Sequence, residues 1–143
     1  MISKVIIIKM KTQLKLFRQE TGHTCTCAVA RMLLDSKGIV MSEMDIEKSM
    51  GVDELKGASV FQLMSFLKEH DIETELVEDS SIDELKKGDF PKLLMFMLWG
   101  EIPHVAIVEG VSEDRAFLLD PATGRTQLRF DELIRQWEAD GIS

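Results

Sequence analysis

The sequence is short of cysteine, of basic charge and of long apolar runs, and each shortage excludes a class of protein. Its two cysteines stand in a CxC spacing, and a bridge across so small a ring is strained, so no secreted disulfide framework is expected. The apolar stretch from Val5 to Ile8 ends at Lys9, too early for a signal peptide or a membrane span. With 25 acidic and 17 basic residues, the net charge of −8 argues against nucleic acid or an anionic membrane as partner. A cytoplasmic protein without a transmembrane segment is expected.

Histidine is also scarce, and the 3 present are not spaced like a metal site. His23, Cys25 and Cys27 alternate along the chain, but three ligands so close together rarely complete a tetrahedral site. The sequence offers no CxxC or HxxxH pair to supply the fourth ligand. Neither a metal nor another cofactor is therefore expected. His70 falls at a predicted helix end, where its role is structural.

The sequence does contain a cysteine where a helix is predicted to begin. A polar, turn-prone run ends at Thr24, and the helix-forming run from Ala28 to Leu34 follows Cys25 closely. Backbone N–H groups and the positive end of the helix dipole favour thiolate over thiol at such a position. Cys25 is therefore the candidate nucleophile, with a purely packing cysteine as the alternative. Gln19 lies close enough to turn its amide back as an oxyanion donor. Cys27 is expected to fill the core, or to act as a resolving thiol if Cys25 oxidises.

A second region brings a histidine and an aspartate into one predicted β-hairpin. His104 opens an apolar run to Val108, a polar turn follows, and a second apolar run from Ala116 ends at Asp120. The start of the first strand and the end of the second lie side by side in a hairpin, so His104 and Asp120 become neighbours. A histidine oriented by a carboxylate and facing Cys25 has the layout of base, orienter and nucleophile. Considered separately, His104 is also consistent with a structural histidine at a strand edge, and Asp120 with a residue that only forms a turn.

Capping residues and apolar spacing predict the other elements. The Cys25 helix ends near Gly38, further helices are expected over 43–50, 60–70, 81–87 and 130–139, and further strands over 5–8, 72–77, 92–98 and 126–129. Helices thus come first and antiparallel strands afterwards, an α+β order. Residues 1–143 are expected to form one domain. Met10 is an alternative start, which would make residues 1–9 an N-terminal extension.

The order of these candidate residues resembles that of a known peptidase family. QETGHTCTCAVARMLL around the cysteine, with HVAIV and FLLDPATG around the histidine and aspartate, resembles the bacteriocin-processing peptidases that remove double-glycine leaders. The resemblance implies a papain-like fold, with an N-terminal helical lobe, a C-terminal antiparallel sheet lobe and a groove between them. It implies that Cys25 is the nucleophile, His104 the general base and Asp120 the orienting acid. It also implies that Gln19 is the oxyanion donor.

The resemblance extends from Gln13 to Leu133 and has one departure. The family usually places Gly directly after the nucleophile and often Pro after that, whereas Thr26 and Cys27 stand here. Gly lets a backbone approach closely, and Thr is stiffer because its β-carbon is branched. The departure therefore bears on the shape of the oxyanion pocket.

The expected function is that of a cysteine peptidase acting on an extended peptide. The resemblance implies cleavage after a small pair such as Gly-Gly at the end of a leader, with a peptide exporter as partner in trans. Basic peptides are the electrostatically natural partners of an acidic protein. Two alternatives stand beside this hypothesis. One is a peptide-binding module that lost turnover through Thr26 and Cys27, and the other is a thiol-dependent acyltransferase or amidase for a small substrate.

Overall fold

The computed structural model describes residues 4–9, 14–20, 24–52, 58–78, 81–98 and 102–135, with the backbone alone at 96–98 and 102–103. The helices are α1 (Cys25–Ser36), α2 (Glu43–Met50), α3 (Val60–Glu69) and α4 (Ile82–Lys86). The strands are β1 (Lys4–Ile8), β2 (Thr74–Glu78), β3 (Lys92–Leu98), β4 (Ile102–Val111), β5 (Arg115–Asp120) and β6 (Gly124–Arg129). Residues 130–135 continue from β6 as a helix. Across these ranges, no helix combines the length and the apolar character that a membrane crossing requires.

All the strands join one antiparallel sheet in the order β2-β1-β3-β4-β5-β6. The first strand of the chain is therefore an inner strand, paired with β2 on one side and β3 on the other. Ile6 and Ile8 are buried on one face of the sheet and Val5 on the opposite face. A strand that is apolar on both faces is stable only inside a covered sheet. This explains why β1 departs from the predicted order of helices before strands.

The helices α1, α2 and α3 cover one face of the sheet. The buried side chains of this layer include Val29, Met32, Leu33, Leu34, Ile46, Leu63, Phe66 and Leu67 from the helices and Ile6, Leu93, Val105, Ile107 and Leu119 from the strands. Helix α1 packs directly on β4. The N-terminus of α1 is thereby held against the strand that carries His104.

The opposite face of the sheet is covered by α4 and the helical residues 130–135. Leu85, Phe130 and Leu133 pack there against Leu94 and its neighbours in the sheet. Because successive side chains of a strand point to opposite faces, β3 is buried on both sides. The prediction that 92–98 forms a central strand is confirmed, and its side chains at 92–94 are buried.

Helix boundaries coincide with the capping signals in the sequence. Ser42 accepts the N–H of Asp45 at the start of α2, and Gly51 closes that helix in the left-handed conformation at φ 76°. Ser59 accepts the N–H of Gln62 at the start of α3, and the Gln62 side chain accepts the N–H of Ser59 in return. These contacts are local in the chain, so the sequence alone indicates where α2 and α3 begin.

Element ends that depend on pairing differ from the sequence prediction. β2 begins later than predicted, at Thr74, and β6 begins earlier, at Gly124. Their ends are set by the partner strands, which apolar spacing does not reveal. The helix predicted over 130–139 is present at 130–135, and its remainder lies outside the described residues.

Candidate active site

Cys25 is the first residue of α1, as the sequence predicts. Its side chain is half-buried and packs on the core beneath the helices. The first turn of α1 lies wholly within the described residues, and it contains no acidic side chain. The positive end of the helix dipole therefore acts on the sulfur without a competing negative charge from that turn.

His104 and Asp120 lie next to each other at one end of the β4–β5 hairpin. His104 Nε2 is 2.9 Å from Asp120 Oδ1, and the two side chains are only 6% and 13% exposed. The register places Ile107 opposite Leu119, so Asp120, one step further along β5, lies diagonally across from His104. Diagonal neighbours on one face are within reach of long side chains. The predicted hairpin is present, and it brings the two side chains together.

Asp120 holds the backbone turn that follows β5 and the imidazole at the same time. Its Oδ1 accepts the N–H of Ala122 at 2.8 Å, as in an Asx turn. Burial raises the pKa of Asp120, but hydrogen bonds from His104 and from the backbone of Ala122 and Thr123 outweigh burial and lower it. The side chain is therefore a carboxylate at neutral pH, and turn chemistry fixes its orientation.

The Cys25 thiol forms a hydrogen bond with the His104 ring. Burial raises the pKa of Cys25, but the hydrogen bond and charge of His104, with smaller contributions from Thr26 and the Val105 backbone, lower it below 9.0. Burial lowers the pKa of His104, but Asp120 and Cys25 raise it to about 9. The two groups therefore favour a thiolate–imidazolium pair.

Gln19 lies in segment 14–20, which is neither helix nor strand. Its backbone N–H donates to the carbonyl of Pro121 at 2.8 Å, directly after Asp120. Its side-chain Oε1 atom is buried. The structure thus brings Cys25, His104 and Asp120 into one series of contacts and attaches Gln19 to the turn at its carboxylate end.

The two residues after Cys25 are both buried. Thr26 is 4% exposed, and its Oγ1 lies 3.9 Å from the Cys25 sulfur. Burial of Cys27, together with the negative charges of Glu43 and Glu47, raises its pKa to about 12. Cys27 therefore stays a protonated thiol at neutral pH, which favours its interpretation as core packing over that of a resolving thiol.

Two contacts at or near the site are missed by sequence reasoning. The Val105 backbone forms a hydrogen bond with the Cys25 sulfur, and a backbone donor in a strand leaves no signal in the sequence. Glu43 is 2% exposed and accepts the backbone N–H of Glu20, next to Gln19. Its place in the first turn of a predicted helix is visible in the sequence, but its burial is not.

His70 does not join this site. His70 ends α3, where its Nδ1 lies 2.9 Å from the Phe66 carbonyl and its ring packs on the Phe66 ring. That is a local structural role, as expected. Among the described side chains, no three His, Cys, Asp or Glu groups are placed to hold a metal ion. His23, which alternates with Cys25 and Cys27, lies outside the described residues.

Solved structures that resemble this fold include two peptidase domains of transporters. The peptidase domain of Streptococcus ComA, a bifunctional ABC transporter of a quorum-sensing pathway, has a TM-score of 0.78 at 15% identity, over 87% of this chain and 92% of that chain. A double glycine motif protease from an AMS/PCAT transporter, in complex with the leader peptide, has a TM-score of 0.72 at 16% identity, over 92% of this chain and 90% of that chain. These likenesses confirm the predicted α+β, papain-like fold.

The sequence itself identifies the family. No curated protein shows significant similarity to the chain. The profile of the Peptidase C39 family, in contrast, matches residues 13–142. This match covers nearly the whole chain and confirms the resemblance to the bacteriocin-processing peptidases. The chain belongs to the Peptidase C39 family of cysteine peptidases.

Proposed function

We propose that the chain cleaves an extended peptide after a small-residue pair, such as the Gly-Gly at the end of a leader. The observation that carries the proposal is the series Cys25, His104 and Asp120, in which the thiol pKa is lowered and the imidazole pKa is raised to about 9. Such a pair provides a nucleophile and a proton donor at the same pH. The leader peptide bound to the similar transporter protease supports a leader as the substrate class, with a peptide exporter as partner in trans.

In the acylation step, the Cys25 thiolate attacks the scissile carbonyl carbon, and the carbonyl electron pair moves to oxygen as the C–S bond forms. The Gln19 amide and the Cys25 backbone N–H donate to this oxyanion. His104, held by Asp120, gives its proton to the leaving amine as the C–N bond breaks. The N-terminal part of the substrate remains on Cys25 as a thioester.

In the deacylation step, the neutral His104 takes a proton from water, and the water oxygen attacks the thioester carbon. The same donors hold the second oxyanion. As it collapses, the C–S bond breaks, the free carboxylic acid forms, and the Cys25 thiolate and the His104 imidazolium are restored. The cycle needs no cofactor, and Asp120 keeps its negative charge throughout.

The direct test is cleavage of a synthetic leader ending in Gly-Gly, followed by mass spectrometry of the fragments. We expect one cut after the second glycine, no cut by Cys25→Ala, and loss of cleavage when the glycine pair is replaced by Leu-Leu. Equal binding of the leader by wild type and Cys25→Ala, without cleavage by either, would overturn the enzyme proposal.

That last outcome would support the binding module, which the position of Thr26 motivates. Its buried side chain lies against the nucleophile where the family usually has glycine. If Thr26 crowds the oxyanion pocket, Thr26→Gly gains cleavage that the wild type lacks. If the wild type already cleaves the leader, Thr26→Gly gives no such gain, and the hypothesis of a binding module without turnover is excluded.

A further inference from the structure

Glu43 is a buried carboxylate that contacts the segment leading to the active site. It begins α2 and is 2% exposed. Its Oε1 and Oε2 atoms lie 3.0 Å and 3.2 Å from the backbone nitrogen of Glu20, whose N–H it accepts. Glu20 follows Gln19 directly, so the contact fixes the backbone beside the proposed oxyanion donor.

Burying a carboxylate is unfavourable unless hydrogen bonds and positive potential compensate for lost hydration. Glu43 receives the Glu20 N–H and lies in the first turn of α2, where the helix dipole favours negative charge. A neutral side chain of similar size would fill this place without the desolvation penalty. The presence of a carboxylate at this buried position is therefore best explained by its hydrogen bond with the Glu20 backbone.

Segment 14–20 is held on its other side by the sheet. The Gln19 N–H donates to the Pro121 carbonyl at 2.8 Å, and Arg18 Nη2 donates to the Ala122 carbonyl at 2.8 Å. Gln19 thus lies between two anchors, one on the β5–β6 turn and one on α2. The helical anchor is the buried Glu43, and the weaker contact of Arg31 with the Glu20 carboxylate at 3.4 Å lies at the surface.

We propose that Glu43 is a positioning residue for peptide cleavage. By holding the Glu20 N–H, its carboxylate fixes the backbone so that the Gln19 amide is directed at the oxyanion. The inference rests on the proposed function, in which Gln19 is the oxyanion donor. Glu43 acts through Gln19 and does not contact the reacting atoms.

The first test is a double-mutant cycle on leader cleavage. We expect Glu43→Ala to lower kcat by about tenfold or more at nearly constant KM, within the loss of about 10²–10³-fold that removal of an oxyanion donor causes. Glu43→Gln keeps an acceptor oxygen and restores most of the activity. In a Gln19→Ala background, Glu43→Ala should cause no further loss, because its effect passes through the missing amide.

Two controls separate positioning from general loosening of the fold. The rate and pH profile of Cys25 alkylation by iodoacetamide should be the same in Glu43→Ala as in wild type. Glu47 lies on α2 like Glu43 and also places a negative charge near Cys27. Glu47→Ala removes this charge and should leave cleavage unchanged. If Glu43→Ala fails to fold, Glu43→Asp keeps the charge and withdraws the acceptor by one methylene, with the same expected loss.

A second readout distinguishes failure of this inference from failure of the proposed function. N-acetylglycinal adds to the Cys25 thiol, and the oxygen of the resulting hemithioacetal occupies the oxyanion site without any peptide being cut. We expect Gln19→Ala and Glu43→Ala to weaken its binding by similar factors. If the wild type cleaves no peptide but both variants weaken aldehyde binding, the function fails and the positioning role stands. The positioning role is overturned if Glu43→Ala binds the aldehyde and cleaves the peptide as the wild type does. It is also overturned if the loss of cleavage in Glu43→Ala adds fully to the loss in Gln19→Ala.

Discussion

The ring of His104 interacts with two acidic partners, the Asp120 carboxylate and the Cys25 sulfur. Each partner stabilises the charged ring, so the pKa of His104 rises to about 9. The same contacts lower the pKa of Cys25 from its ordinary 9.0. The ring is therefore expected as imidazolium at neutral pH, and both shifts favour the thiolate–imidazolium form of the pair.

Alkylation of Cys25 should follow this lowered pKa. The thiolate fraction grows as pH rises through the pKa, so iodoacetamide should react with a midpoint below 9.0. In His104→Ala the cation is lost while burial remains, so the midpoint should move upwards. Cys27, with a pKa of about 12, should stay unlabelled in the folded protein. A wild-type midpoint at or above 9.0, followed by mass spectrometry, would contradict the ion pair.

Asp120→Asn tests the orienting carboxylate. The amide keeps an oxygen for the Ala122 N–H but loses the negative charge, so the pKa of His104 should fall from about 9. Peptide cleavage should drop by about 10²–10⁴-fold, the usual contribution of general acid–base catalysis. The alkaline limb of the pH–rate profile should also move to lower pH, because the His104 ring then loses its proton at a lower pH. A pH–rate profile unchanged from wild type would show that Asp120 only forms the turn.

At the scale of the element, the start of α3 offers a clean measure of local stabilisation. Ser59 and Gln62 form a reciprocal capping box. Ser59→Ala should lower the free energy of unfolding by about 1 kcal/mol, since it leaves a helix N–H without its acceptor. Urea denaturation gives the value, and the rate of Cys25 alkylation should not change. An unfolding midpoint equal to that of wild type would mean that water replaces the cap at no cost.

The elements that the sequence predicts best are those that local interactions define. The bounds of α2 follow from Ser42 and Gly51, and the β4–β5 hairpin follows from its two apolar runs and the turn between them. The approach of His104 to Asp120 is a consequence of that hairpin. The contact of Glu43 with Glu20 and that of Val105 with Cys25 are not predictable, because they join separate elements through tertiary packing.

At the scale of the whole molecule, the strand over 5–8 is predicted from the sequence, but its inner place in the sheet is not, and that place is one of the most consequential features of the fold. Strand β1 separates β2 from β3, and the side chains of Val5, Ile6 and Ile8 are buried. Full burial of such side chains contributes about 1.5–3 kcal/mol each. Their sum is comparable to the total stability of about 5–15 kcal/mol of an ordinary domain.

A chain beginning at Met10 should therefore fold poorly. Without β1, strand β2 loses its pairing partner and β3 becomes an exposed apolar edge. We expect loss of the cooperative urea transition monitored by circular dichroism. Ile6→Ala serves as the matched control, since it should cost about 2–5 kcal/mol while retaining the transition. Wild-type stability of the shortened chain would show that residues 1–9 are dispensable.

The inner place of β1 also has a consequence for synthesis on the ribosome. Translation releases an N-terminal segment before the segments that follow it, and β1 precedes both strands that complete its hydrogen bonding. Sequence-distant pairing is slow to form, and an uncovered apolar strand attracts other chains in the meantime. Until translation has passed β3, the apolar residues of β1 lack a strand partner, and we expect this part of the nascent chain to be prone to aggregation.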